Sequence, residues 1–262
     1  MQVYNKTDQT LHQLCQLLAK AGCSFVDHKA DDSHTNLYFD AMSRRIYTHP
    51  FGSPGRSLSL NLRGQYFEWI DLNREAEFIA PFAGQTLSQL EEAIASAADK
   101  AGLDGAAYRQ PVHYEIPQYQ DPAMAFTELD EDALQEWQYF RRLANQVGMA
   151  LLGYLEAEGQ PRIWPHHFDT GTYCVVNNRV GIGYGLAMED AMVGAPYFYV
   201  SAYPQEGELD FSKTRELTSG SWKVTENWKG AVLPMTELPP RHAMRVILRF
   251  VRQATNWYLH SK

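Results

Sequence analysis

Short links between strand-like segments constrain the fold of this chain most strongly. Segments 168–176 and 180–187 have the residue pattern of β-strands, and only Asn177, Asn178 and Arg179 separate them. Parallel neighbours need a crossover of a dozen or more residues, so this link requires an antiparallel pair. We expect further strands at 36–40, 45–49, 57–62, 65–72, 196–203, 222–226 and 230–233. In segment 57–62 leucine alternates with Ser57, Ser59 and Asn61, which predicts one solvent-facing side.

Amphipathic helices frame these strands. Apolar residues recur at helical spacing in four segments, each with a recognisable start or stop residue. The predicted helices are 8–21 with Gly22 as its stop, one opened by a capping box of Thr86 and Gln89, one from Asp130 to Gly159, and one after Pro240.

The order of helix, strands and helix occurs twice along the chain. This order predicts an α+β protein of mostly antiparallel sheets, backed by about four helices. We expect a single compact unit, 1–262, and consider 1–128 and 129–262 as two similar, pseudo-repeated halves within it.

Charge and hydropathy argue against two classes of partner. The formal net charge is −8, and no basic patch stands out in the sequence, so we expect no nucleic-acid partner. No apolar run approaches the roughly 18 residues of a membrane span, and the first residues lack the pattern of a signal peptide. The three cysteines include no metal-type pair, which is typical of reduced thiols, so we expect a cytoplasmic protein.

Two histidines and a carboxylate lie close together at the start of a predicted strand. His166, His167 and Asp169 follow Pro165 directly. A hydrogen-bonded pair of His167 and Asp169 is the favoured interpretation, and in a catalytic version Asp169 would orient His167 as a general base. A divalent metal on His166, His167 and Asp169 is the less favoured alternative. With His166 on the core side, His167 and Asp169 lack the third protein ligand that a catalytic zinc site needs, and His113 could supply it.

Strand alternation predicts a candidate site around this segment. In 196–203 one side carries Tyr197, Tyr199 and Tyr203, and in 180–187 one side is bare glycine. A glycine strand beside a tyrosine strand predicts a shallow trough. If Phe168 faces the core, residues 167, 169 and 173 share the trough side. The predicted site is therefore His167, Asp169, Tyr173, Tyr197, Tyr199 and Tyr203, with Gly183 on its floor and Glu189 and Asp190 at its rim.

Three functional classes follow from this site. Binding of a small molecule of unknown identity in the aromatic and histidine-lined trough is favoured. A hydrolase-like or metal-assisted enzyme centred on His167 and Asp169 is the alternative, although the chain lacks a GxSxG elbow, an HExxH helix and a P-loop. A scaffold that uses the tyrosine side as an oligomer contact is the third. Whether the protein is an enzyme, and which cofactor it uses, stay open.

Two motifs carry a resemblance to a known family. The segments Trp164-Pro165-His166-His167-Phe168-Asp169 and Pro196-Tyr197-Phe198-Tyr199-Val200-Ser201-Ala202-Tyr203-Pro204, with 10–14 opening the first helix, resemble a bacterial family described only as a domain of unknown function. This chain has Trp-Pro-His-His where relatives carry a Trp-Gly pair, and its loop after Leu186 is short. The resemblance implies a shared fold and no particular activity.

Overall fold

The computed structural model describes residues 1–52, 55–73 and 75–261. These residues form two antiparallel sheets and five α-helices, so the predicted α+β class is confirmed. The helices are α1 (Gln2–Phe25), α2 (Leu87–Lys100), α3 (Gly105–Tyr108), α4 (Glu131–Tyr154) and α5 (Ala243–His260). The strands are β1 (Tyr38–Asp40), β2 (Arg45–Tyr47), β3 (Ser57–Asn61), β4 (Tyr66–Ile70), β5 (Ala76–Pro81), β6 (Arg162–Trp164), β7 (Asp169–Val176), β8 (Val180–Ala187), β9 (Tyr197–Pro204), β10 (Ser221–Val224) and β11 (Lys229–Pro234).

The chain divides into two compact units. The first, here called the amino-terminal unit, comprises Gln2–Tyr139 and Ile163–Phe168; the second, the carboxyl-terminal unit, comprises Phe140–Arg162 and the residues from Asp169 onward. The predicted order of helix, strands and helix is present twice, as α1, β1 to β5 and α2, and then as α4, β6 to β11 and α5.

A five-stranded meander forms the sheet of the amino-terminal unit. Its strands lie in sequence order, and the register pairs Ile46 with Leu60 and Leu60 with Phe67. Helix α1 packs on β3 and buries a stripe of apolar side chains. The predicted capping box of α2 is confirmed, since Thr86 and Gln89 each accept a hydrogen bond from the backbone amide of the other.

The prediction that Gly22 stops the first helix is wrong. Helix α1 starts at Gln2 and continues through Gly22 to Phe25. A Cβ atom at position 22 would lie 3.0 Å from both the carbonyl oxygen of His34 and the Cα of Thr35. The glycine therefore allows the segment around His34 to pack directly against the helix, which explains a glycine in this place without a helix end.

The prediction of a solvent-facing side on β3 is also wrong. Ser59 is fully buried, and Ser57 and Asn61 are buried as well. On the neighbouring strand the buried carboxylate of Glu68 accepts hydrogen bonds from Arg45, at 2.7 Å, and from the Asn61 side-chain amide, at 3.1 Å. Polar residues on this side are thus buried, and Asn61 and Glu68 among them are paired; alternation alone does not distinguish such a side from an exposed one.

A six-stranded sheet follows, in the order β10-β11-β9-β8-β7-β6. On one side of β8 and β9, tyrosine hydroxyls bond to backbone carbonyls across the core: Tyr184 donates to Ala144 of α4, and Tyr258 of α5 donates to Val200. Phe198 and Val200 are fully buried on this side. The helices of the carboxyl-terminal unit therefore cover the predicted core side of β9.

Membrane-crossing helices were not expected from the sequence. Within the described parts of the chain, every helix falls short of the length and apolar character that a membrane span requires.

Candidate functional site

The predicted glycine and tyrosine rows lie on the same side of the second sheet. Across β8 and β9 the register pairs Gly181 with Tyr203, Gly183 with Ser201 and Gly185 with Tyr199. Across β7 and β8 it pairs Gly171 with Gly185 and Tyr173 with Gly183. We call the side formed by these residues and Asp169 the tyrosine–glycine surface.

Tyrosine rings occupy the space above the glycines. A Cβ atom at Gly185 would lie 2.7 Å from the ring of Tyr199, and one at Gly181 would overlap the phenol of Tyr173. The glycines therefore provide room for the protein's own rings, which lie across them. The expected trough is largely filled from within.

One end of this surface is buried and hydrogen-bonded. Tyr199 donates to Oδ2 of Asp169 at 2.5 Å, and Tyr197 donates to Oδ2 of Asp190 at 2.7 Å. Burial, together with the neighbouring carboxylate, raises the pKa of both tyrosine hydroxyls well above the usual value, so both act as neutral donors. Of the two predicted rim residues, Glu189 and Asp190, both are exposed, and Asp190 accepts this bond from Tyr197.

The other end of the surface is accessible. Tyr173 and Tyr203 are 52% and 51% exposed, and their ring centroids lie 6.1 Å apart. Gly183 on β8 pairs with Tyr173 on β7 and with Ser201 on β9, and the Ser201 hydroxyl lies beside it. Within the tyrosine–glycine surface, this pair of tyrosines is the part available to a ligand.

The histidines lie in a turn, outside the strand. Residues 165–168 form the turn, and Phe168 adopts a left-handed conformation with φ of 53° before β7 begins at Asp169. Alternation along β7 therefore does not extend to His167, and the argument that placed His167 on the trough side is wrong. His167 is exposed and belongs to the amino-terminal unit.

The His167 ring packs on its neighbour, with the centroids of His166 and His167 4.2 Å apart. His166 also contacts Tyr114, at 5.8 Å between centroids. The imidazole of His167 makes no hydrogen bond with any residue that the structure describes, so the bond expected of it is not formed. His167 is thus not held in the orientation that a general base needs.

A groove between α4 and α5 in the carboxyl-terminal unit was not predicted. Its volume is about 660 Å³. Two rows of side chains run along α5 at helical spacing: Met244, Leu248 and Val251 form an apolar row, and arginines form a second row beside it. The lining residues are Val147, Ala150, Leu151, Tyr154, His242, Met244, Arg245, Leu248, Arg249, Val251 and Arg252.

The arginine row is a basic patch, although none was expected from the sequence. Arg245, Arg249 and Arg252 are exposed on one side of α5, a helix without any Asp or Glu. None of the three makes an ion pair with a residue in the described ranges. The sequence signal is the spacing i, i+4, i+7 of these arginines, which a net charge of −8 for the whole chain does not reveal.

A second cavity, of about 800 Å³, lies at the end of α5. Trp222 and Trp257 line it, and their indole N–H groups donate to the backbone carbonyls of Arg215 and Lys213. The formal charges of its lining balance, with Asp210 and Glu216 against Lys213 and Arg215, and the remaining lining residues include His260. The cavity therefore offers no charge preference to a ligand.

Comparisons with models of protein families, with curated proteins and with solved structures gave no match for this chain. The resemblance to an uncharacterised bacterial family therefore stays a prediction.

Proposed function

We propose that the protein binds a small anionic amphiphile, a molecule with an aliphatic body and a carboxylate or phosphate group, in the groove between α4 and α5. One observation carries the proposal: three arginines, none of which pairs with an acidic group among the described residues, stand beside an apolar row in a groove whose lining includes no acidic side chain. A volume of about 660 Å³ is in the usual range of small-molecule sites.

The two rows would contribute differently to binding. Each buried methylene group of the ligand contributes about 0.8 kcal/mol, whereas an exposed ion pair contributes about 0.2–1 kcal/mol. The apolar row, with Leu248 exposed at 37%, would therefore supply most of the affinity. The arginines would orient the charged group and select against uncharged molecules of the same length.

Isothermal titration of the full chain with dodecanoate, and with dodecanol as the uncharged match, tests this proposal. We expect dodecanoate to bind more tightly than dodecanol at low salt, and the difference to shrink at high salt. Arg249→Gln should reduce dodecanoate affinity by about two- to fivefold, the range of one exposed ion pair. Leu248→Ser should weaken the binding of both dodecanoate and dodecanol.

Arg179→Gln is the matched control, because Arg179 is an exposed arginine in the turn between β7 and β8, away from the groove lining. Binding should be unchanged in this variant. Equal losses in Arg179→Gln and Arg249→Gln would mean that only net charge matters. Failure of the wild-type chain to bind dodecanoate would overturn the proposal.

A planar aromatic ligand on the tyrosine–glycine surface is the second candidate. It is favoured by the accessible pair of Tyr173 and Tyr203 beside the glycine side of β8. Tyr203→Ala should abolish binding of such a ligand in a thermal-shift screen and leave dodecanoate binding unchanged. A hydrolase-like site at His167 and Asp169 has less support, because Asp169 accepts from Tyr199 and the His167 ring is not hydrogen-bonded within the described residues.

A further inference from the structure

A cluster of imidazoles surrounds one carboxylate in the loop after α1. The ligand atoms of His28, Asp32 and His34 all lie within 4.8 Å of one another. His113, from a segment distant in sequence, donates from Nε2 to Oδ2 of Asp32 at 3.0 Å. All four residues belong to the amino-terminal unit.

We propose that His28, Asp32 and His34 form a binding site for a divalent transition-metal ion of the zinc class, with His113 as a fourth ligand or as the hydrogen-bond donor that orients Asp32. Two imidazoles and a carboxylate are a donor set that zinc accepts. Magnesium and calcium prefer oxygen ligands, so this set disfavours them.

A purely structural role accounts for only part of this cluster. The bond between His113 and Asp32 is an ordinary imidazole–carboxylate pair. The approach of His28 to His34 is different, because their ring centroids lie 4.8 Å apart without a hydrogen bond between them. His34 is 3% exposed, and its hydrogen bond is a long one, 3.3 Å from the Lys29 amide to Nδ1. A metal ion at this ring would replace a weak contact with a strong one.

The geometry requires only small movements. Ligand atoms on a tetrahedral zinc ion lie about 3.4 Å apart, given bonds of about 2.0–2.1 Å. From 4.8 Å, each of two ligand atoms would move by roughly 0.7 Å. His28 is exposed and free to do so, while His34 is held where Gly22 lets the loop pack against α1.

The spacing His28-x₃-Asp32-x-His34 is visible in the sequence, but the sequence does not indicate that the three side chains converge. Among the described residues, His28, Asp32 and His34 are the three metal-ligand side chains whose ligand atoms lie close together. They are different residues from those predicted to bind a metal, which were His166, His167 and Asp169.

Zinc binding by the chelator-treated chain of residues 1–262 tests the proposal. Equilibrium dialysis with elemental analysis should find one zinc ion per chain, and zinc but not magnesium should raise the unfolding temperature. His28→Ala should weaken zinc binding by at least about tenfold, and His113→Ala by about 10- to 100-fold. Because His28 is exposed, the first variant should fold normally even if His34→Ala does not.

His167→Ala is the matched control, since it removes an exposed histidine of the same unit. Its zinc affinity should equal that of the wild type. Substoichiometric zinc in the wild-type protein, unchanged affinity in His28→Ala, or an equal loss in His167→Ala would each overturn the proposal.

Discussion

The hydroxyl of Tyr199 reaches Asp169 across an entire strand. Tyr199 lies on β9 and Asp169 on β7, with β8 between them, yet the hydrogen bond is 2.5 Å long. Neighbouring strands are about 4.8 Å apart, so the tyrosine side chain must lie flat over β8. It can do so because Gly185 has no side chain, and because Gly171, paired with Gly185, leaves space beside the carboxylate.

This hydrogen bond should contribute measurably to stability. Tyr199→Phe removes a donor to a buried carboxylate, so we expect the free energy of unfolding to fall by about 1–3 kcal/mol. Urea denaturation measures the change. The control is Tyr203→Phe, which alters a half-exposed hydroxyl and should change stability by less than about 0.5 kcal/mol. Equal effects of the two variants would contradict the assignment.

A side chain at position 185 should destabilise the protein, because the Tyr199 ring lies over this glycine. In Gly185→Ala the new methyl group would lie 2.7 Å from the Tyr199 ring, which must shift and lose its bond to Asp169. We expect a loss of about 1–3 kcal/mol in the free energy of unfolding. Gly153→Ala is the matched variant, because nothing lies within 4 Å of its Cβ position near the end of α4. It should stabilise the protein by up to about 1 kcal/mol, as measured in the same denaturation experiment.

Buried tyrosines should make the protein sensitive to alkaline pH. Burial raises the pKa of the Tyr108, Tyr184 and Tyr199 hydroxyls well above the usual value. For Tyr119, burial is the main cause and the negative charge of Asp8 the second, and together they raise the pKa to about 12. In the unfolded chain these groups ionise near about pH 10. Above that pH the unfolded state binds fewer protons than the folded state, so stability should be complete below about pH 10 and fall as pH rises.

Tyrosinate absorbance and chemical denaturation, followed together from neutral pH upward, check this dependence. Ionisation of the buried tyrosines should coincide with unfolding. Their titration in a chain that stays folded and loses no stability would refute it.

The capping box of α2 offers a local test. Thr86→Ala removes the side-chain acceptor for the Gln89 amide and should cost about 1 kcal/mol of stability. Thr86→Ser keeps the acceptor and should cost much less. Thermal unfolding of both variants distinguishes loss of the cap from a general effect of substitution at this position.

Much of the fold was predictable because it depends on neighbours in sequence. The link at 177–179 requires an antiparallel pair, and β7 and β8 are joined by it. The capping box and the start of α4 after Asp130 follow from hydrogen bonds that span three residues. Alternation along β8 and β9 placed the glycines and tyrosines on one side correctly, since side chains on a strand have a period of two.

Features that depend on distant parts of the chain were not predictable in this way. Alternation on β3 separates a leucine side from a polar side, but it does not tell whether the polar side faces solvent. Ser59, on the polar side, is buried. The left-handed conformation of Phe168 interrupted the pattern that was extended to His167. A glycine near the end of a helical pattern predicts a helix end, but it can also be required by a segment that packs closely against the helix. Gly22 is an example of the second case.

The sequence by itself determined the four longer helices, nine of the strands and their antiparallel class, because backbone hydrogen bonding and side-chain periodicity act over a few residues; it did not indicate β5, β6 or α3. Only the tertiary structure decided that tyrosine rings cover the glycine row, that arginines on α5 border an apolar groove, and that His113 bonds to Asp32 in the loop that carries His28 and His34. Those outcomes depend on long-range packing, which brings together side chains that no local pattern relates.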